Sequence, residues 1–199
     1  MLTHRQNKTR YDIRRLNRLF NVSRHVNQLR VELASQPHYE SLAGLLCELH
    51  TYYNEGSSVS HELVRSYLVE HLLAADSPLC LVVASQGHHE VVGFAAVSLT
   101  FSLVEPTPEH RRHCWLKELY VRSSNRGAGV GSALMIWVAQ YAVEHGCRRI
   151  DWPVRAANVR GIAFYEALGA RQVVDRLSYR LSEPSLSELA GKSRSARGG

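Results

Sequence analysis

The feature that most constrains this chain is a glycine-rich loop between a strand-like and a helix-like segment. Residues 115–134, W-L-K-E-L-Y-V-R-S-S-N-R-G-A-G-V-G-S-A-L, begin with strand alternation, pass through Gly127, Gly129 and Gly131, and continue with helical apolar spacing. The first amides of a helix have no intrahelical acceptor, and glycines allow a ligand close to the backbone. The segment therefore predicts an anion site, suited to a phosphate, where the helix begins.

Two known nucleotide-binding loops are possible forms of such an anion site, and a plain connector without a ligand is the alternative to it. A phosphate-binding loop of the Walker type needs Gly-Lys-Ser/Thr, whereas Gly131 is followed by Ser132 and Ala133. A dinucleotide-binding loop is favoured by Asp151, 20 residues after Gly131, but Ser132 stands where the last glycine of G-x-G-x-x-G belongs. A flexible connector would not need three alternating glycines, so an anion-binding loop of another kind is favoured.

Around this loop the apolar residues alternate between periods of two and about 3.6. A turn at Gln86-Gly87 joins two of the predicted strands as an antiparallel hairpin, and Ser60 is the predicted N-cap of the second helix. The fold class is therefore α/β, a single domain with a mixed, mostly antiparallel sheet flanked by helices. The predicted strands cover residues 30–35, 79–84, 91–103, 115–121, 149–154 and an extended return at 171–181; the predicted helices cover residues 42–56, 61–72, 131–145 and 159–168.

The charge of the chain is concentrated at its amino terminus. Residues 1–30 contain eight Lys/Arg and one Asp, whereas residues 31–181 contain 13 Lys/Arg and 15 Asp/Glu. We therefore predict a basic extension at 1–28, a folded domain at 29–182 and a disordered tail at 183–199, rich in Ser, Gly and charge. Residues 11–22 have the spacing of a short amphipathic helix, which suits a presequence, a lipid or nucleic-acid contact, or a dispensable extension; we favour the last.

The cysteines and histidines do not suggest a metal site. Cys47, Cys80, Cys114 and Cys147 are far apart in sequence with no C-x-x-C pair, which predicts reduced, mostly buried thiols. The cluster His110-x-x-His113-Cys114 includes arginines 111 and 112, which would oppose a cation. No apolar run approaches the roughly 18 residues of a membrane span, so we predict a cytoplasmic protein without a membrane partner.

Two segments resemble the GCN5-related N-acetyltransferases, the GNAT family. R-G-A-G-V-G at 126–131 resembles the family's Arg/Gln-x-x-Gly-x-Gly/Ala signature, and L-K-E-L-Y-V before it resembles the family's fourth strand. N-V-R-G-I-A-F-Y-E-A-L-G-A at 158–170 resembles its second signature. The resemblance implies a fold with splayed fourth and fifth strands, and Pro153 independently favours an interrupted fifth strand because proline cannot donate to a ladder.

The resemblance also implies that acetyl-CoA is the cosubstrate and that no metal is needed. Backbone groups of the fourth strand would pair with pantetheine, and the amides of the glycine loop would bind the pyrophosphate. Asn158 and Tyr165 match the second signature, although an N-cap and a core tyrosine are the ordinary roles of such residues. The residues that would contact the cosubstrate are Leu119, Tyr120, Val121, Arg126, Gly127, Ala128, Gly129, Val130, Gly131, Ser132, Asn158 and Tyr165.

Two residues are candidates for proton transfer. Tyr165 matches the family tyrosine that protonates the departing thiolate. Glu118 is the candidate base, because an acceptor alkyl amine with a pKa near 10.4 must lose a proton before it attacks. A strand carboxylate that is paired with arginine or merely solvated is the competing interpretation of Glu118.

The acceptor is less well specified than the donor. Residues 48–52, 92–95 and 162–170 resemble the diamine, spermidine and thialysine N-acetyltransferases, but Lys117 and Tyr53 stand where those enzymes carry acidic residues. We expect Tyr52, Tyr53 and Glu118 to contact a small primary amine that attacks acetyl-CoA directly. A peptide or protein acetyltransferase is the alternative enzyme, and a CoA-binding regulator with a nucleic-acid-binding basic arm is the non-catalytic one. The nearly neutral body disfavours a nucleic-acid partner, and a homodimer stays open.

Overall fold

The computed structural model of the protein describes residues 29–195. These residues fall into two units, one ending at Pro153 and one beginning at Val154. The helix predicted at residues 11–22 lies outside the described residues. The first unit contains the strands β1 (Arg30–Leu33), β2 (Cys80–Gln86), β3 (Glu90–Phe101), β4 (Arg112–Val121) and β5 (Ile150–Asp151), and the helices α1 (Tyr39–Tyr53), α2 (His61–Tyr67) and α3 (Val130–Glu144).

The five strands form one sheet in chain order, β1-β2-β3-β4-β5. The first three pairings are antiparallel and β4 pairs with β5 in parallel, so the predicted mixed, mostly antiparallel sheet is confirmed. The fifth strand is shorter than predicted: it covers Ile150–Asp151 and ends two residues before Pro153. A proline at that point cannot donate to a ladder, which is consistent with the early end of the strand.

Each face of the sheet is covered by helices because its strands alternate apolar side chains between the two faces. Helices α1 and α2 cover one face, where Leu42 and Leu45 of α1 pack with Phe94 of β3 in the main cluster of buried residues. Helix α2 begins after Ser60, whose hydroxyl accepts from the amide of Leu63, and is followed by a π-helical turn, Leu68–Leu72. Helix α3 covers the other face, with Leu134 and several neighbours fully buried.

Gly93 sets how closely α3 approaches the sheet. A Cβ atom there would lie 3.0 Å from Val130 Cγ1, 3.0 Å from the Tyr120 carbonyl oxygen and 3.3 Å from Leu134 Cδ1. Such distances are tighter than ordinary van der Waals contacts, so only glycine lets the first turn of α3 lie directly on β3 and β4. The start of α3, with the glycine loop before it, is thereby held at the end of β4.

The second unit differs from the sequence prediction in two places. Residues 171–181 were expected as an extended return strand, but within the described part of the chain they pair with no other strand. An alternating sequence shows that a segment could join a sheet. A strand forms, however, only where the edge of another strand is available for hydrogen bonding. The tail at 183–199, expected to be disordered, contains α5 (Ser185–Ser195), which follows α4 (Val159–Ala167). Its Leu186 and Leu189 have helical spacing, and the Ser187 amide donates to the Glu183 carboxylate at 3.3 Å.

The domain boundaries at residues 28 and 182 remain predictions. None of the helices in the described range 29–195 is long and apolar enough to cross a membrane.

A buried histidine joins β1 to the turn before α1. His38 is 1% exposed, and its Nδ1 accepts a hydrogen bond from the Ser35 amide at 3.2 Å. Its Nε2 lies 3.5 Å from Glu32 Oε1. Burial lowers the pKa of His38 from its ordinary value of 6.5; nearby Glu32 opposes this shift and His89 adds to it. The folded protein therefore favours the neutral imidazole, whose Nδ1 can accept the Ser35 amide.

We expect the stability contribution of His38 to be present above about pH 6.5 and to be lost as the pH falls through its lowered folded-state pKa. His38→Asn keeps a polar side chain that does not titrate. Between pH 7.5 and pH 5.5 the melting temperature of the wild type should fall more than that of the variant. Thermal unfolding followed by circular dichroism checks this, and equal falls in the two proteins would contradict it.

Candidate active site

The candidate site begins where β4 and β5 part. Their parallel pairing consists of Cys114 with Ile150 and Trp115 with Asp151, and it goes no further. Strand β4 continues to Val121, and no other described strand of the first unit lies beside residues 116–121 on that side. The backbone of β4 therefore borders a gap, as expected for splayed strands, and its peptide groups there can accept a ligand as a strand would.

A β-bulge in β4 decides which way the candidate base points. Ala96 of β3 lies opposite Glu118, but the next residue, Val97, lies opposite Leu116, so Lys117 is the extra residue. Residues two apart normally share a face of a strand, whereas the bulge puts Leu116 on the α3 face and Glu118 on the α1 face. Tyr120 follows on the α1 face, packed against the main core cluster. Bulges commonly re-aim a side chain beside an active site.

Glu118 contacts one of the two predicted acceptor-side tyrosines. The hydroxyl of Tyr53 donates to Glu118 Oε2 at 3.1 Å and lies 3.4 Å from Oε1. The amide of Leu119 donates to Oε1 at 3.2 Å. Tyr52 joins the group through its ring, 5.2 Å from the ring of Tyr53 in an edge-to-face arrangement. The structure therefore brings Tyr52, Tyr53 and Glu118 together.

The glycine loop has the geometry of an anion site. Gly127 and Gly129 have φ angles of +83° and +81°, in the left-handed region that favours glycine. Gly129 is the N-cap of α3, and its carbonyl accepts the first helical bond, from Ala133, at 3.0 Å. No side chain caps this end, and the first turn carries no acidic residue. The amides of residues 130–132 therefore start a helix whose dipole favours a negative charge.

Four of the loop residues predicted to bind the cosubstrate differ in their exposure. Val130 is 1% exposed, because it packs in the core at the start of α3. Ala128 is exposed, and Gly131 and Ser132 are half-buried in the first turn of α3. Val130 thus anchors the start of α3 in the core, and the glycines on either side of it place no side chain beside the first amides of the helix.

Arg126 is held at the end of β4. Its Nε donates to the carbonyl oxygen of Val121 at 2.9 Å, and its guanidinium lies 5.7 Å from the centre of the Tyr120 ring. Burial raises the pKa of Tyr120, with a further contribution from the Glu48 carboxylate, while Arg126 opposes the rise. The arginine therefore links the loop to the strand, a contact that the resemblance to the family signature did not predict.

A second arginine supports the same end of the strand and was not predicted from the sequence. Arg122 Nε donates to Glu48 of α1 at 3.0 Å, and its Nη1 donates to Glu90 of β3 at 2.7 Å. Both carboxylates come from other elements, so the network ties α1, β3 and the end of β4 together. A lone Arg after a strand carries no signal of such partners, since the partners lie 74 and 32 residues away.

The second unit holds the remaining candidates. Asn158 caps α4: its Oδ1 accepts from the Gly161 amide at 3.0 Å. A Cβ at Gly161 would lie 2.5 Å from Asn158 Nδ2, so the glycine is required for this cap. Tyr165 is half-buried in α4, with its ring 5.2 Å from that of Phe164. The placement of Asn158 and Tyr165 against the cosubstrate remains a prediction from the resemblance.

The thiols are not activated. Burial raises the pKa of Cys80 to about 11 and that of Cys114 to about 12, and it also raises the pKa values of Cys47 and Cys147. A thiol with a raised pKa is neutral at physiological pH and a poor nucleophile. Over residues 29–195, no group of three or more His, Cys, Asp or Glu side chains is arranged to hold a metal ion.

The chain is similar to known acetyltransferases in sequence. It is 33% identical over 84 residues to thialysine N-epsilon-acetyltransferase of Sus scrofa, covering 41% of this chain and 49% of that protein. It is 32% identical over 119 residues to aminoglycoside N(6')-acetyltransferase type 1 of Stenotrophomonas maltophilia, covering 59% and 76%. The chain thus spans about half the length of the thialysine acetyltransferases it matches.

Solved structures share the fold. An integron cassette protein from V. cholerae superposes with a TM-score of 0.73 at 28% identity, covering 81% of this chain and 97% of that one. An aminoglycoside N-acetyltransferase in complex with CoA superposes with a TM-score of 0.62 at 21% identity, covering 80% and 99%. The model of the acetyltransferase (GNAT) family matches residues 45–170, which include β4, the glycine loop and α4, and the chain belongs to this family.

Proposed function

We propose that the protein is an N-acetyltransferase that moves an acetyl group from acetyl-CoA to a primary amine of a small molecule. The observation that carries the proposal is the glycine loop at the end of β4, where the uncapped start of α3 meets the gap between β4 and β5. Amides in that position fit a pyrophosphate, and the backbone of β4 beyond its short pairing with β5 fits the amides of pantetheine. Residues 119–121 and 126–132 would hold acetyl-CoA, which supplies the acetyl thioester as acyl donor.

The chain's own residues would supply the proton transfers. An alkyl amine near pKa 10.4 reaches the site as an ammonium ion, so it must lose a proton before its lone pair can attack. Glu118 is the base in this proposal, directly or through one water, because the bulge turns it to the face where α1 ends. Tyr165 would donate its phenolic proton to the departing thiolate.

The relatives support a small acceptor without naming it. Proteins named for thialysine, aminoglycoside and L-ornithine acetylation match this chain at 31–33% identity. All three acceptors are small molecules that carry amines, and the body of the chain lacks the excess positive charge expected for a nucleic-acid partner. We infer a small amine, with no nucleic acid, membrane or metal involved, and a cytoplasmic location.

Thiol release from acetyl-CoA tests the proposal. The acceptors are polyamines, lysine analogues including thialysine, ornithine, aminoglycosides and short peptides, and mass spectrometry identifies the acetylated product. Release with small amines supports the proposal, and release with peptides alone would replace it with a peptide acetyltransferase. CoA binding without turnover on any amine would favour the non-catalytic regulator.

Glu118→Gln tests the base. The substitution keeps the shape of the side chain and removes its charge, so the rate should fall most at low pH, where unprotonated amine is scarcest. A fall of roughly 100-fold at pH 6.5 is the typical contribution of a positioned base. Glu144→Gln, on the exposed outer side of α3, is the matched control. The measurement is kcat/KM for the amine against pH, and a wild-type profile in Glu118→Gln would point to another base.

Deletion of residues 1–28 tests the domain boundary. The deleted segment contains none of the loop or strand residues above, so acetyl transfer to small amines should stay within about threefold of wild type. Steady-state kinetics on the truncated protein, with circular dichroism to verify folding, provide the measurement. Loss of activity in a folded truncated protein would make the basic extension part of the site.

A further inference from the structure

The carboxylate of Glu118 is held by donors from two different elements. Tyr53 is the last residue of α1, and its hydroxyl reaches across to Glu118 on β4, 3.1 Å from Oε2. The second donor, the amide of Leu119, belongs to β4 itself. The amide of Leu119 moves with β4, whereas the phenol of Tyr53 connects the carboxylate to a separate element, α1.

The phenol of Tyr53 is itself oriented by a neighbour. The ring of Tyr52 packs against it edge to face, with centroids 5.2 Å apart and planes at 74°. This is a favoured arrangement for aromatic rings, and it restricts rotation of the Tyr53 side chain. Tyr52 is 57% exposed and Tyr53 is 39% exposed, so parts of both rings border solvent next to Glu118. An ammonium ion is attracted to the face of such a ring.

We propose that Tyr53 is the positioning residue for Glu118 and that the Tyr52–Tyr53 ring pair guides the acceptor's ammonium group to that carboxylate. The inference rests on the proposed function. The ammonium proton passes to a Glu118 oxygen, which becomes a carboxylic acid; the amine nitrogen keeps the N–H bonding pair and uses it to form the bond to the acetyl carbon. As that bond forms, the carbon–sulfur bond of the thioester breaks and its electron pair leaves with the sulfur as a thiolate, which takes the proton that the proposed function assigns to Tyr165. The nitrogen loses its second proton through solvent, which restores the Tyr165 phenol. Glu118 releases its proton to water, and the hydrogen on the Tyr53 phenol stays where it was.

The bond to Tyr53 has two consequences for the rate. It keeps the carboxylate in one orientation, which reduces the cost of reaching the geometry for proton transfer. It also stabilises the charged carboxylate, so that Glu118 stays able to accept a proton at lower pH. Loss of the phenol should therefore reduce the rate and move the acidic limb of the pH–rate profile to higher pH, while leaving the acetyl-CoA side of the site unchanged.

The test compares Tyr53→Phe with Tyr39→Phe. Each variant loses one phenolic hydroxyl and keeps its ring, but Tyr39 is at the opposite end of α1 from Tyr53, and Tyr53 is the one that donates to Glu118. With the best amine found for the wild type, we expect Tyr53→Phe to lower kcat/KM for the amine about tenfold, as loss of a hydrogen bond to a charged group does. Tyr39→Phe should stay within about twofold, and KM for acetyl-CoA should be unchanged in both.

A double-mutant cycle with Glu118→Gln shows whether Tyr53 acts through the carboxylate. If it does, Tyr53→Phe should have little further effect in the Glu118→Gln background and should move the acidic limb only when Glu118 is present. Equal rates in Tyr53→Phe and Tyr39→Phe, or independent effects in the cycle, would overturn the inference while the acetyltransferase proposal stands. A wild-type protein that releases no thiol with any amine would overturn both.

Discussion

Gly129→Glu should lower the affinity for CoA by at least about 100-fold. The substitution forces an L side chain into a backbone conformation with a φ of +81° and puts a carboxylate at the N-terminus of α3. A negative charge about 4 Å from a phosphate costs on the order of 4 kcal/mol at an effective dielectric constant of 20, and about 1.4 kcal/mol corresponds to a factor of ten in affinity. Isothermal titration calorimetry with CoA measures the loss.

Gly146→Glu is the matched control for this variant. Gly146 follows the other end of α3, has a φ of +75°, and likewise has no atom within 4 Å of an added Cβ. Its substitution introduces the same charge and comparable backbone strain away from the loop, so the CoA affinity should stay within about threefold of wild type. If Gly129→Glu bound CoA as tightly as this control, the glycine loop would have no part in cosubstrate binding.

Tyr165→Phe should lower kcat by roughly 100-fold or more with little change in CoA affinity. Proton donation to a departing thiolate, whose conjugate acid has a pKa near 8.5, typically contributes that much when the donor is positioned. The variant removes only the hydroxyl, so a tyrosine with a purely packing role would show a small change in stability and an intact turnover number. Steady-state kinetics and CoA titration on the same preparation separate the two roles.

Tyr179→Phe controls for removal of a phenol in the same unit of the chain. Tyr179 is 88% exposed, and its substitution should leave kcat within about threefold of wild type. A value of kcat for Tyr165→Phe within the same range would assign Tyr165 to packing, and solvent or another group would then protonate the thiolate.

The part of the site carried by local sequence could be predicted. The alternation before Arg122 predicts a strand, and three glycines followed by apolar helical spacing predict the loop and α3, because each of these signals is contained within about a dozen residues. Pro153 predicts an interrupted fifth strand for the same reason, although not that β5 ends two residues before it. Asn158 is recognisable as an N-cap from its place before a helical repeat, and the structure has this cap.

The parts that depend on distant partners could not be predicted. The bulge at Lys117 depends on how β4 is aligned with β3. The alternation of residues along β4 alone does not reveal that alignment. The Tyr53 contact with Glu118 joins residues 65 positions apart. The tail was predicted to be disordered from its average composition, which does not reveal that Leu186 and Leu189 are spaced as in a helix.

The central claim is direct acetyl transfer from acetyl-CoA to an amine at the gap beside β4. Its most direct test is the initial rate of thiol release with acetyl-CoA and the best acceptor amine both varied, together with mass spectrometry of the product. Direct attack predicts intersecting double-reciprocal lines and one acetylated amine for each thiol released. Parallel lines would indicate a covalent acetyl-enzyme, and no amine-dependent thiol release would contradict acetyl transfer altogether.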